Sequence, residues 1–257
     1  MISDMLTLVP LWAVLTGCAV AFAAGVVKGA IGFALPLIIM SGLSLFLDPF
    51  IAVAGVILPA LFSNILQVFR HSWPDIKDAA AEHWRYILIV CIMIVLVAQI
   101  VTMVPEQAFY LILGVPVVAL SLIQLFGVTF HIPPERRRVA EWSIGGFAGA
   151  LGGFTGTWGP PTVLYLIALE TPKKRQLLVQ GVVYSLGSVS LLGGHIQSGI
   201  LNATTAVFSG LLLVPVFGGM LIGFWLGDRL DAALFRKITL IVLVIAGANL
   251  VRRGLFG

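Results

Sequence analysis

Formal charges divide this chain into long apolar runs. Lys, Arg, Asp and Glu are absent from Met5–Val27, Gly29–Leu47, Pro49–Phe69, Tyr86–Pro105, Gln107–Pro134, Trp142–Leu169 and Gln176–Gly227. About 20 consecutive apolar residues cross a bilayer as a helix, so the pattern predicts a polytopic membrane protein. Inside it, one arrangement occurs twice. Gly25, Gly29, Gly32 and Pro36 recur as Gly149, Gly153, Gly156 and Pro160, each 124 residues later. The same offset carries Asn64 onto Ser188 and His71 onto His195. Proline lacks a backbone donor and favours the start of a helix over its interior. Each glycine cluster therefore reads as a hairpin, in which a helix reaches the glycines, breaks, and a second helix begins near the proline. Non-helical backbone at membrane depth is tolerated only where it is buried or lines a cavity, so both breaks are expected to face the interior.

Three further apolar segments follow each hairpin: Pro49–Phe69, Tyr86–Val104 and Ala108–Val128, then Gln176–Gly194, Thr204–Leu226 and Phe235–Val251. A re-entrant hairpin plus three crossings brings the second half into the membrane from the opposite side. The predicted fold is an all-α polytopic membrane protein of two inverted repeats, each a Gly/Pro-broken helical hairpin followed by three transmembrane helices, about eight to ten helical segments in all. The first repeat is 1–130, a cytoplasmic connecting loop is 131–140, and the second repeat is 141–257, forming one integral membrane domain.

Loop charge agrees with this topology. With His131–Glu141 inside, the hairpin scheme also places Arg70–Arg85, Glu170–Arg175 and Asp228–Lys237 inside, and these four loops carry 12 of the 15 basic residues. That asymmetry is the positive-inside rule. Counting each glycine segment as one broken crossing instead puts Lys173, Lys174, Arg175, Arg229, Arg236 and Lys237 outside. Arg252 and Arg253 fit less well, since they end outside after only 14 uncharged residues, Ile238–Val251. Asp4 gives the first apolar run no basic leader, so a cleaved signal peptide is not expected.

Composition sharpens the exclusions. The 257 residues are 60% hydrophobic and 10% charged, against roughly 45–50% and 25% in soluble domains. The net charge of +4 sits in short loops and orients the chain rather than recruiting nucleic acid. Cys18 and Cys91 lack metal or redox spacing and read as packing residues. No HExxH, Gly-x-Ser-x-Gly or Walker A pattern occurs, and no carboxylate falls inside a long apolar run, so an enzyme is not expected. No metal or cofactor is implied.

Matched broken helices in two halves point to a transport site near the midplane. Helix N-termini carry unpaired N–H groups and partial positive charge, and glycines admit a ligand close to them. With these features, the Gly25–Phe33 run, the charged turn after Phe69 and the size, the chain resembles the TauE/SafE-type sulfite and sulfonate exporters across nearly its whole length. The resemblance implies a multi-pass permease of the bacterial inner membrane exporting small sulfur-containing anions such as sulfite, sulfoacetate or related organosulfonates. An uptake carrier for another small anion, or a non-transporting partner subunit, remain the alternatives. The partners are then a small anion and the lipid bilayer, with self-association left open.

The candidate substrate-binding residues are Lys28, Gly29, Gly32 and Phe33 at the first break and Gly153, Thr155, Gly156, Thr157 and Trp158 at the second. Lys28 is the one basic residue among the long apolar segments, and intramembrane charge is costly enough to be a functional suspect. The hydroxyls and indole N–H of the second break suit oxyanion oxygens. Asn64, Gln67, Gln180 and Ser188 are candidates for the same cavity, with Tyr184 and Ser185 beside them, although polar glue between helices is an equally available role. His71 and His195, at the ends of equivalent segments, are the candidates for proton handling.

Overall fold

A computed structural model of the chain describes residues 2–128, 130–227, 229 and 232–256. Met1, Thr129 and Gly257 at the expected repeat boundaries, and Asp228, Leu230 and Asp231 of the expected inner loop 228–237, lie outside the described residues. Those described form α-helices and short 3-10 turns, with no strand. In the first half these are α1 (Ile2–Leu8), α2 (Leu11–Ile31), α3 (Leu35–Leu43), α4 (Pro49–Val68), α5 (Trp73–Glu82), α6 (Trp84–Ile100) and α7 (Glu106–Leu125). In the second they are α8 (Arg137–Thr155), α9 (Gly159–Ala168), α10 (Lys173–Gln197), α11 (Ala203–Leu211), α12 (Leu213–Gly227) and α13 (Ala232–Phe256). Seven helical spans are long and apolar enough to cross a membrane, one of them formed by α11 and α12 together. The chain is a multi-pass, all-helical membrane protein.

Local chemistry sets the helix ends. Pro10 precedes α2 in extended conformation, and Pro36 and Pro160 fall in the first turns of α3 and α9, where their missing N–H costs nothing. Asp48 caps α4 by accepting from the Phe50 N–H at 2.8 Å. Asn202 forms a reciprocal capping box with Thr205 at the start of α11. Two short helices exceed the sequence expectation. Pro10 separates α1 from the first long run, and α5 lies within the charged turn after Phe69, with only Ile76 and Ala79 buried.

Helix pairing follows a regular scheme. Hairpin helix α2 of the first half packs along α12 of the second, and α8 of the second half packs along α6 of the first. The pairs α4 with α10 and α7 with α13 each join corresponding helices of the two halves. Glycines permit these close crossings, as small residues do in membrane bundles. A Cβ at Gly25 would lie 2.2 Å from the Val216 carbonyl oxygen, and one at Gly149 would lie 2.6 Å from that of Val90.

Two clusters of polar contacts mark the ends of the bundle. At one end, Arg85 Nε meets Glu141 Oε2 at 2.5 Å, Arg137 reaches Glu82 and Glu141, and Arg175 reaches Asp78 and Glu82. Here the start and finish of the α8–α9 hairpin adjoin, with the Ile132 N–H donating to the Ala168 carbonyl at 2.9 Å. At the other end the start of α2 meets the end of α3, where the Trp12 and Phe46 rings are 5.7 Å apart. Arg253 of α13 donates to the Ser44 carbonyl there and covers the Tyr110 ring at 4.8 Å. The final helix therefore runs on to Phe256, with its arginine held by a carbonyl beyond α3. This extension overcomes the shortness of Ile238–Val251.

Candidate anion site between the hairpin breaks

Both breaks are made the same way. Gly32 (φ 83°) ends α2 and its N–H returns to the Lys28 carbonyl at 2.8 Å; Gly156 (φ 69°) ends α8 and returns to Gly152 at 2.7 Å. This left-handed cap suits glycine and closes the helix cleanly. The chain turns through Phe33–Ala34 and through Thr157–Trp158 before α3 and α9 begin. Ala34 also takes positive φ, at 74°, an uncommon geometry for a residue with a Cβ.

The two breaks meet at a small cavity of about 20 Å³. Of the expected residues, Lys28, Phe33, Asn64, Gly156, Thr157, Trp158 and Tyr184 line it. Sequence reasoning missed Ala34, Leu37 and Gly159 in this lining, and treated Pro36 and Pro160 only as helix starts. Tyr184 of α10 completes the wall, its hydroxyl donating to the Gly159 carbonyl at 3.2 Å.

Lys28 is 3% exposed. Its ammonium donates to Asn64 Oδ1 and stands 6.0 Å from the centre of the Tyr184 ring. Asn64 Nδ2 donates to Ser188 Oγ at 2.7 Å and to the Tyr184 carbonyl at 3.2 Å, while Ser188 Oγ donates to that same carbonyl at 2.7 Å. Ser185 Oγ donates to the Asn64 carbonyl at 2.9 Å. No acidic residue lines the cavity among the described residues. The wall thus presents a buried cation with a neutral acceptor.

The remaining candidates stand elsewhere. Gly29 packs on Met220 and Gly223 of α12, and Gly153 on Ile94 and Val97 of α6, so these two glycines serve helix contact. Gly32 forms the break itself, near Leu177 and Gln67. Thr155 is buried beside the cavity, donating to the Leu151 carbonyl and hydrogen-bonded to Thr157. Ser188 lies behind Asn64. Gln180 is buried outside the lining, as is half-buried Gln67, whose Oε1 has no partner among the described residues. The histidines have unlike surroundings, since His71 is half-buried after α4 and His195 is wholly buried near the end of α10, with Nδ1 3.3 Å from Ser198 Oγ. Neither lines the cavity.

Residues 17–250 match the family model described as "Sulfite exporter TauE/SafE". The chain belongs to the TauE/SafE family. As a member of this sulfite exporter family it is a membrane permease for a sulfur-containing anion. No curated protein and no solved structure matches the chain significantly.

Proposed function

We propose that this TauE/SafE protein exports sulfite or a related small organosulfonate across a bacterial inner membrane, binding it between the two hairpin breaks. The observation that carries this reading is Lys28, a buried ammonium facing a cavity that no carboxylate among the described residues lines. A buried charge without an opposite partner is costly, and an anion entering the cavity supplies that partner. The backbone N–H groups of Thr157, Trp158 and Gly159 add donors suited to oxyanion oxygens.

A cavity of about 20 Å³ admits little more than one water. Loading then requires a hairpin to move, as alternating access demands. The helix pairing described above supports reading residues 1–130 and 141–257 as inverted repeats joined by a cytoplasmic loop at 131–140. Asn64 and Ser188, which correspond at the offset of 124, touch each other directly, as expected beside a pseudo-twofold axis. An inside-negative potential favours outward movement of one negative charge by about 2.3 kcal/mol per 100 mV, so export needs no coupling ion.

Purified protein in liposomes, assayed with sulfite, sulfoacetate, thiosulfate and sulfate, tests the reading. Wild type is expected to move at least sulfite, Lys28→Met to lose that flux, and Lys28→Arg to keep part of it. Normal flux in Lys28→Met overturns the site, and silence of the wild type towards all four anions overturns the function.

A further inference from the structure

We propose that Asn64 is a stand-in for the anion: it holds the Lys28 ammonium when the carrier is empty, and so permits net export rather than exchange alone. The inference rests on the carrier reading above and concerns what the unloaded site does. A carrier can return empty only if its closed, unloaded form is affordable. With Lys28 almost wholly buried, a bare ammonium would oppose that closure.

The amide is built for this task. Ser188 gives its hydroxyl proton to the Tyr184 carbonyl, so a lone pair of its oxygen faces Asn64 Nδ2. The second acceptor of Nδ2 is that same Tyr184 carbonyl. With its donors committed to acceptors, the amide cannot rotate end for end without losing both bonds, and Oδ1 stays aimed at Lys28. The acceptor therefore stands ready before Lys28 arrives.

Its charge and its place matter equally. A neutral amide is a weaker acceptor for an ammonium than an anion is, so an entering oxyanion can displace it. A carboxylate at this position would hold Lys28 against the cargo. Asn64 also sits on the seam between α4 and α10, bonded to Tyr184, Ser185 and Ser188. It belongs to neither hairpin. A hairpin movement that carries Lys28 away from this seam breaks the Lys28–Asn64 bond, and the bond reforms on the empty return. Asn64 is in this sense a positioning residue that determines the mode of transport.

The experiment compares two fluxes from liposomes loaded with radiolabelled sulfite, with the membrane potential clamped. Net efflux is measured into sulfite-free buffer and exchange into buffer containing sulfite. Wild type is expected to show both. Asn64→Leu should lower net efflux about tenfold more than it lowers exchange, the difference expected from one charge-assisted hydrogen bond. Asn64→Asp should slow both fluxes at low sulfite and recover them at high sulfite, and if Asn64→Leu does not fold this raised sulfite requirement tests Asn64 as the competitor for Lys28. Equal slowing of both fluxes in Asn64→Leu, or no change in either, overturns the proposal. So does an Asn64→Asp protein whose sulfite dependence is that of wild type. A wild type that moves sulfite in neither mode overturns the carrier reading and this inference with it, a result distinct from the variant outcomes.

Discussion

At the scale of single residues, Gly32 and Gly156 play the same conformational part in different surroundings. Both have positive φ, where a Cβ costs roughly 1–2 kcal/mol. A Cβ at Gly32 would meet the flexible tip of Leu177 at 3.3 Å and Gln67 Nε2 at an ordinary 3.9 Å, whereas one at Gly156 would lie 2.8 Å from Val56 Cγ1. Gly32→Ala is therefore expected to lower stability by about 1 kcal/mol, and Gly156→Ala by about 2–3 kcal/mol, because strain and overpacking add. Thermal unfolding of the purified proteins in detergent gives the order, and equal midpoints would show that Val56 yields freely. Replacement of either glycine by Leu should abolish transport, with Gly32→Leu still inserting into the membrane.

At the scale of elements, the α8–α9 hairpin is tied to α5 and α6 by charge. Glu141 is wholly buried and accepts from Arg85 and Arg137, each about one-third exposed, and Tyr165 of α9 lies 3.5 Å from the same carboxylate. Glu141→Ala leaves Arg85 without its carboxylate and Arg137 with Glu82 alone. Breaking a fully buried pair costs about 3–5 kcal/mol; the partial exposure of both arginines reduces the expected loss to about 2 kcal/mol. Chemical unfolding monitored by tryptophan fluorescence measures it.

His83 adds a pH dependence to this end of the bundle. Burial holds its imidazole below the usual value of 6.5, against the pull of Glu82 and Glu141 and with the help of Arg137 and Arg175. Its Nδ1 lies 3.4 Å from the Tyr165 hydroxyl. The unfolded chain then binds the proton more readily than the folded one, so stability present above pH 6.5 is lost on acidification below it. The neighbouring Glu82 carboxyl also stays below its usual value of 4.5, where the Arg175 hydrogen bond and the charges of His83, Arg175 and Arg137 outweigh burial; its stabilisation fades at lower pH still. Melting temperatures between pH 7 and pH 5 are expected to fall in the wild type and to fall less in His83→Gln. Parallel curves would remove His83 from this role.

For the whole molecule, the proposed orientation places the Arg85–Glu141 end in the cytoplasm and the Ser44–Arg253 end outside. In a protein with Cys18 and Cys91 replaced, single cysteines at exposed Lys174 and Arg138 should be shielded from an impermeant thiol reagent in intact cells, whereas one at exposed Asp48 should react. Labelling at 174 from outside would reverse the orientation. Exposed Lys174 and Arg138 are preferable to Arg137, which is committed to Glu82 and Glu141.

Much of this architecture was legible in one dimension because a bilayer enforces it. Long uncharged runs must become helices, and the glycine and proline spacing located both breaks within a residue or two, since few other residues suit a left-handed turn followed by a helix start. Lys28 stood out because charge is rare in such runs. Three-dimensional contact decided the rest. It divided each glycine motif into packing positions, Gly29 and Gly153, and breaks, Gly32 and Gly156, a distinction that depends on which helix lies across. Of the polar candidates on α4 and α10 it kept Asn64 and Tyr184 in the wall and set Gln67 and Gln180 aside, because the face that a residue of a long, apolar helix presents to a cavity follows from neighbours distant in sequence. It also assembled the buried cluster around Glu141, whose residues sat in loops that the charge pattern read only as orienting the chain. Spacing along the chain determined where backbone can break; packing between the halves determined which side chains meet there.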